Sequence, residues 1–160
     1  MSIWLPGVPQ MLGARYHSRQ TPQHAPEGIV IHSGHAAPGV AEYVAGGPSD
    51  GRQVSYHLAW STTLQRIVQL VDLERRAWHA GSEGNDWIGI GLSGPWNQDP
   101  RRDNERVEFM ALMPVLMVAV PSLQYWCRHS DITPGKRDPG PGFDDSWITC
   151  SGLIHRPEGP

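Results

Sequence analysis

The sequence lacks the basic charge excess and the long apolar segment typical of nucleic-acid-binding and membrane-spanning proteins. The formal net charge at pH 7 is −3, whereas a nucleic-acid-binding surface usually concentrates lysine and arginine. The longest apolar run, Phe109 to Val120, contains Pro114 and is too short to cross a bilayer. We therefore expect neither nucleic-acid binding nor membrane insertion.

Features of exported proteins are also scarce. The first ten residues, MSIWLPGVPQ, show no basic stretch followed by an apolar core, so we expect no signal peptide and synthesis in the cytoplasm. The two cysteines, Cys127 and Cys150, form no CxxC pair and are too few for a disulfide framework. We expect two buried free thiols, although the sequence leaves open whether they pair.

What the chain does contain fits one globular α/β domain. Its 160 residues, 39% of them hydrophobic, suit a single domain with its own core. The 18 glycines and 15 prolines predict many loops, and residues 1–27 are expected to form an irregular arm. Strand and helix patterns alternate, which indicates a central mixed β-sheet flanked by helices. The predicted strands are Gly28–His32, Val54–Trp60, Leu64–Leu70, Trp87–Leu92 and Leu123–Cys127, and the clearest predicted helices are Val40–Ala45 and Asp103–Val118.

The longest predicted helix, Asp103–Val118, carries a methionine pattern. Met110, Met113 and Met117 recur at helical spacing, which predicts a stripe packed in the core. Pro114 is expected to kink or split this helix, because proline removes one backbone hydrogen bond and clashes with the preceding turn.

Two histidines lie where predicted strands end. His32 closes the first strand and His129 follows the last, so neighbouring strand ends can bring them together. Asp138 comes nine residues after His129, in a loop tight enough to fold back. Two histidines and a carboxylate leave one tetrahedral position open, as in catalytic zinc sites. The alternatives are that these histidines are only packed, or that His32 pairs with His35 in an HxxH.

Five short motifs follow one another in the order of a known family. They are IVIHSG (Ile29–Gly34), VSYHLAW (Val54–Trp60), RAWHAG (Arg76–Gly81), NDWIGIGLSG (Asn85–Gly94) and HSDITPGKRDPGPGFD (His129–Asp144). Together they resemble the type-2 N-acetylmuramoyl-L-alanine amidases, which include phage lysozyme-type amidases, bacterial muropeptide amidases and peptidoglycan recognition proteins. The resemblance covers about residues 28–147 and implies an α/β fold of the recognition-protein type.

The resemblance also implies a catalytic site. The family's zinc ligands correspond to His32, His129 and Asp138, its catalytic lysine to Lys136, and the tyrosine of its phage and recognition-protein branch to Tyr56. Lys136 and Asp138 are two residues apart, so in an extended segment their side chains point the same way. The ammonium would then lie beside the oxyanion that forms when an amide is attacked.

The sequence departs from the family at one catalytic position. Many bacterial members read G-I-E-L-E-G where this chain has residues 89–94, and the first glutamate, a proposed general base, is replaced by Gly91. Tyr56 is therefore the better candidate for handling the proton. A histidine or threonine usually follows the first zinc ligand, and this chain has Ser33 there.

Three further residues are predicted to bind substrate. Trp78, His79 and Asn85 belong to the motifs that border the groove in the family. His57 alternates with Tyr56 along its strand and is expected to pack behind the sheet or to support a ligand.

The resemblance implies a zinc amidase that cuts bacterial peptidoglycan between N-acetylmuramic acid and L-alanine, with one Zn²⁺ per chain. We expect a monomeric phage endolysin, made in the host cytoplasm and acting on the wall after release. A cytoplasmic muropeptide-recycling amidase is the alternative role, and a non-catalytic peptidoglycan-binding module is the alternative class. The chain has no HExxH motif, which argues against a zinc protease of that type.

Overall fold

The described part of the chain forms one mixed β-sheet. The structure, a computed structural model, describes residues 2–14, 17, 25–34, 39–47, 51–94 and 103–160. The strands in these ranges are β1 (Gly28–Gly34), β2 (Leu58–Ser61), β3 (Arg66–Gln69), β4 (Ile88–Ser93), β5 (Tyr125–Arg128) and β6 (Ile154–His155). They lie in the order β3-β2-β4-β1-β5-β6, and each neighbouring pair is parallel except β2 and β3. The predicted mixed sheet is confirmed.

Helices cover both faces of this sheet. They are α1 (Val40–Gly46), α2 (Gly81–Gly84), α3 (Asp103–Ala119), α4 (His129–Ile132) and α5 (Ser146–Thr149). Ile29 and Ile31 pack with Phe109 of α3 in the main core cluster, while α1 packs against β2 in a second cluster. Because side chains alternate along a strand, Val30 and His32 face away from α3.

The central strand β1 positions the ends of two chain segments side by side. Ile31 is paired with Arg128 of β5, and His32 is paired with Gly91 of β4. Since β1 and β5 are parallel, both strands end at the same edge of the sheet. His129 begins α4 directly after β5, which brings it beside His32 as the strand-end argument predicted.

The structure corrects the description of the long helix. α3 runs without a break through Pro114, which lies on its exposed side, so the predicted split is wrong. Met113 is buried, Met117 packs partly against the core, and Met110 is 42% exposed, so the predicted core stripe is wrong for Met110. Consecutive residues are about 100° apart around a helix, which turns Met110 away from the buried face centred on Phe109.

Chain segments at both ends lie along the sheet. The backbone N–H of Leu5 donates to the Gln69 side chain over 2.8 Å, and the Gln69 N–H donates to the Pro9 carbonyl, also over 2.8 Å. Residues 2–14 of the predicted arm thus pack irregularly along β3. At the other edge of the sheet β6 pairs with β5. The sequence analysis did not predict β6.

The two cysteines are free thiols in different surroundings. Cys127 is buried in β5, and burial raises the pKa of its thiol to about 12. Cys150 is exposed, so the prediction of a buried thiol is confirmed for Cys127 and wrong for Cys150. Among the described residues no helix is both long and apolar enough to span a membrane.

Candidate metal centre and groove

A groove with a volume of about 920 Å³ opens where β1, β4 and β5 end. His129 and Asp138 line it, together with Lys136 and Tyr56, so residues from separate motifs meet in one place. The three residues predicted to bind substrate, Trp78, His79 and Asn85, also line it.

His32, His129 and Asp138 form a compact set of metal-binding atoms. One donor atom from each lies within 4.8 Å of the other two. His129 Nδ1 is 2.9 Å and His32 Nδ1 is 3.4 Å from the same oxygen, Oδ2 of Asp138. The two imidazole rings are 4.3 Å apart between centroids. The sequence prediction that these three side chains converge therefore agrees with their positions.

The donor set fits a divalent metal ion. His32 is fully buried, and its Nδ1 has no hydrogen-bond partner among the described residues. A buried polar atom without a partner is unfavourable, and an imidazole nitrogen aimed at a second imidazole and a carboxylate would find its partner in a metal ion. Two nitrogens and one oxygen with the fourth side open to a groove suit a catalytic zinc site.

The protonation states of these groups also suit a cation. Burial lowers the pKa of His32 to about 4, so its ring is neutral at pH 7. Burial alone would raise the pKa of Asp138, but the interactions with His129 and His32 together outweigh burial and hold that pKa well below its usual range. A neutral imidazole and an ionised carboxylate are the forms that bind metal.

Hydrogen bonds from nearby serines hold the loop that carries Asp138. The Ser130 N–H donates to the Asp138 carbonyl over 2.9 Å, and the Ser33 hydroxyl donates to the Pro139 carbonyl over 3.2 Å. Ser33 thus ties the strand of His32 to the loop of Asp138. In the sequence Ser33 stood out only because the family usually has histidine or threonine at this position. A threonine hydroxyl could donate the same hydrogen bond.

Tyr56 occupies the space beside Gly91. The Tyr56 ring centroid is 5.0 Å from that of His32. A Cβ atom on Gly91 would lie 2.8 Å from Cδ2 of Tyr56 and 2.9 Å from Cγ1 of Val40. The ring therefore excludes any larger side chain, a glutamate included, from position 91. Burial, followed by the charge of Asp138, raises the pKa of the Tyr56 phenol well above its ordinary value, so the group keeps its proton and can donate it.

Lys136 lies in the loop between α4 and Asp138. Its side chain lines the groove and is exposed, and its backbone N–H donates to the Thr133 carbonyl over 3.1 Å. This turn presents the ammonium to the groove two residues before a predicted ligand. Thr133 lines the groove as well. The sequence analysis did not single out Thr133, although its position inside the His129–Asp144 motif could have indicated it.

The predicted substrate residues differ in their exposure and in their contacts within the protein. Trp78 is 38% exposed at the groove. Both ring nitrogens of His79 are engaged within the protein, by His32 and by the Trp87 carbonyl. Asn85 accepts the backbone N–H groups of His79 and Ala80 with one side-chain oxygen. Their contacts with substrate remain predictions.

His57 is buried, and both of its ring nitrogens bond to backbone groups. Its Nε2 donates to the Arg75 carbonyl over 2.6 Å, and its Nδ1 accepts the Gly89 N–H over 2.9 Å. Its ring lies 5.9 Å from that of His79 between centroids. His35, the alternative partner of His32, lies outside the described residues.

These features define a class of protein. A mixed α/β sheet that carries a His-His-Asp donor set beside a groove at the ends of its strands suits a hydrolase that uses one metal ion. The chain belongs to the N-acetylmuramoyl-L-alanine amidase family, whose sequence profile matches residues 22–141.

Curated proteins with similar sequences are also amidases of this kind by name. The 1,6-anhydro-N-acetylmuramyl-L-alanine amidase AmpD of Enterobacter cloacae is 36% identical over 88 residues, which are 49% of this chain and 46% of that protein. The chain thus spans about half the length of the curated relatives it matches.

Solved structures show the same fold. A selenomethionine derivative of AmpD aligns with a TM-score of 0.74 and 24% identity over 94% of this chain and 97% of that one. The endolysin amidase LysCS from Clostridium intestinale URNW aligns with a TM-score of 0.70 and 17% identity over 94% of this chain and 99% of that one.

Proposed function

We propose that the protein is a zinc-dependent amidase that hydrolyses the bond between N-acetylmuramic acid and L-alanine in peptidoglycan. The observation that carries this proposal is the buried Nδ1 of His32, which has no hydrogen-bond partner in the described part of the chain and lies beside His129 and Asp138. The family to which the chain belongs consists of such amidases. When bound, zinc would supply Lewis-acid activation of water and of the lactyl carbonyl.

The protein's own residues would stabilise the charge that develops on the substrate. Attack on the amide carbon places negative charge on the carbonyl oxygen, and preorganised donors beside that oxygen lower the barrier. Lys136 would offer a full positive charge from the groove wall. Tyr56, which keeps its phenolic proton, would donate a hydrogen bond to the same oxygen or pass a proton to the leaving amine.

The groove would hold the glycopeptide on both sides of the scissile bond. Trp78 offers an exposed aromatic face for a sugar or peptide at one wall, where Asn85 also lies. An ordered groove wall positions the amide near the donor set, which is itself a large part of the rate enhancement.

Two biological roles share this chemistry. The pairing of Tyr56 with Gly91 resembles the phage branch and favours an endolysin that acts as a monomer on the intact wall after release. The curated relatives are named for 1,6-anhydromuropeptides, which favours a recycling amidase acting on small soluble fragments in the cytoplasm. We put the endolysin role first, because it follows from residues at the site.

Mass spectrometry of digested substrate tests the proposal. Purified peptidoglycan and a soluble anhydromuropeptide are each incubated with the zinc-loaded protein. The expected products carry new L-alanine amino termini, without new reducing sugar ends. New reducing ends would indicate a glycosidase, and binding without any cleavage would indicate a recognition module. Faster cleavage of the insoluble wall supports the endolysin role, and faster cleavage of the soluble fragment supports recycling.

A further inference from the structure

Two consecutive hydrogen bonds connect His32, through His79, to the backbone carbonyl of Trp87, just before β4. His32 Nε2 lies 2.9 Å from Nδ1 of His79, and His79 Nε2 lies 3.1 Å from the carbonyl oxygen of Trp87. Both imidazoles are buried, with exposures of 0% and 8%. The nitrogen of His32 that faces the groove, Nδ1, is the one without a partner among the described residues.

The Trp87 carbonyl, the last group in this series of hydrogen bonds, determines which ring nitrogens carry protons. A carbonyl oxygen only accepts, so Nε2 of His79 must carry a proton. A neutral imidazole carries a proton on only one of its nitrogens, so Nδ1 of His79 is the acceptor. His32 must then donate through Nε2–H, and its own neutral ring is left with a lone pair on Nδ1. That lone pair points toward His129 and Asp138.

Three neighbours fix His79 in this orientation. Its backbone N–H donates to Oδ1 of Asn85 over 2.7 Å, which closes the turn before α2. A Cβ atom on Gly89 would lie 2.5 Å from Cδ2 of His79, so the ring fits only because that strand position has no side chain. The Trp87 carbonyl then holds the far end of the ring.

We propose that His79 is a positioning residue that sets the tautomer and the orientation of His32 for the metal ion. A metal-binding histidine usually donates its other ring N–H to a carboxylate, a carbonyl or water, and loss of that partner commonly lowers metal affinity about 10- to 100-fold. Here the partner is a second neutral imidazole, itself held by a carbonyl. The proposal rests on the proposed function for the identity of the metal, but not for the arrangement of protons.

Zinc affinity of paired variants tests this role. His79→Phe keeps a ring but removes both nitrogens, whereas His79→Asn keeps an oxygen near the position of Nδ1. Competition with a chelator should show about 10- to 100-fold weaker zinc binding for His79→Phe, and recovery of most of that affinity for His79→Asn. His57→Phe is the matched control, because His57 is an equally buried imidazole whose nitrogens contact only backbone groups. Wild-type affinity in His79→Phe, or an equal loss in His57→Phe, would overturn the proposal.

Tautomer measurement on the unmodified protein gives a readout that does not depend on how the variants fold. Long-range ¹H–¹⁵N spectra of the metal-free chain should show both His32 and His79 protonated at Nε2 only. A proton on Nδ1 of His79 would refute the assignment. Absence of zinc binding or of amide cleavage in the wild type would instead refute the proposed function, and these spectra distinguish the two failures.

Discussion

Lys136 is the only lysine in the chain, and it faces the groove two residues before Asp138. Lys136→Ala should keep stoichiometric zinc and lower turnover about 100- to 1000-fold, because it removes a donor from the developing oxyanion. KM for a soluble muropeptide should change little, since the charge acts mainly in the transition state. Steady-state kinetics measure turnover and KM, and metal analysis measures the zinc content.

The neighbouring arginine provides the matched control for Lys136. Arg137 is exposed and charged but does not line the groove, so Arg137→Ala should retain wild-type turnover. If Lys136→Ala and Arg137→Ala are equally active, the ammonium has no role in the reaction.

Tyr56 contributes a phenolic hydroxyl beside His32. Tyr56→Phe keeps the ring and its packing against Gly91, so any loss of activity reports on the hydroxyl alone. We expect turnover to fall by about tenfold or more, up to the 100-fold typical of an oxyanion donor, with zinc content unchanged. Tyr125→Phe, which alters a tyrosine stacked on Trp87 outside the groove, should have no effect. Full activity in Tyr56→Phe would show that the phenol is only structural.

At the residue scale the sequence predicted which side chains meet when their placement depends only on where parallel strands end. His32 and His129 could be placed together because parallel strands end at one edge. Asp138 was proposed because it follows His129 by nine residues, and the family motif added the role of Lys136. The partner of His79 could not be found this way, because spacing does not reveal which ring nitrogen meets which neighbour. Cys150 was wrongly predicted to be buried for a related reason, since the exposure of a residue directly after a short helix depends on what packs over it.

Strand β4 shows how one element makes room for two rings. Gly89 lies under His79 and Gly91 lies under Tyr56, both on the face that carries His32. Gly91→Ala would place a Cβ atom 2.8 Å from the Tyr56 ring and should therefore displace it. We expect a loss of turnover at least as large as in Tyr56→Phe, with zinc still bound.

A glycine in open space is the control for this element. Gly46 lies at the end of α1, and a Cβ atom added there would meet nothing within 4 Å. Gly46→Ala should therefore leave turnover unchanged. A Gly91→Ala protein with normal turnover would mean that the Tyr56 ring can move without consequence.

Elements were predictable in proportion to their length and apolar pattern. β1 and β4 are apolar runs, and both were placed within about two residues of their observed ends. α3 was placed within one residue, because its periodicity outweighed Pro114. β6 was missed, since Ile154–His155 is too short to show a pattern and forms only because β5 offers a free edge.

Across the whole molecule, buried neutral histidines should make the fold sensitive to acid. Burial lowers the pKa of His57 from 6.5 to about 4, so between these values the unfolded chain binds a proton that the folded chain does not. Stability should therefore be unaffected above pH 6.5 and fall as the pH drops toward 4, by about 1.4 kcal/mol per pH unit for one such group. Denaturant unfolding of the wild type and of His57→Asn at several pH values measures this slope. An equally steep slope in the variant would rule out His57 as its source.

For the whole molecule, the sequence predicted the class of fold but not which segments pack along the edges of the sheet. Alternating strands and helices indicated one α/β sheet, and that architecture is observed. The packing of residues 2–14 along β3 was not predicted, because it depends on side-chain bonds to Gln69 and Asp72 from a segment without regular structure.

One metal ion, held by His32, His129 and Asp138, is proposed to make the protein an amidase. Stepwise addition of zinc to the metal-stripped protein, with cleavage of the N-acetylmuramoyl-L-alanine bond followed at each step, tests it most directly. Activity should rise in proportion to bound zinc and level off at one equivalent per chain, and His129→Ala should show neither tight binding nor activity. Full activity in the stripped protein, or unchanged binding and activity in His129→Ala, would contradict the account.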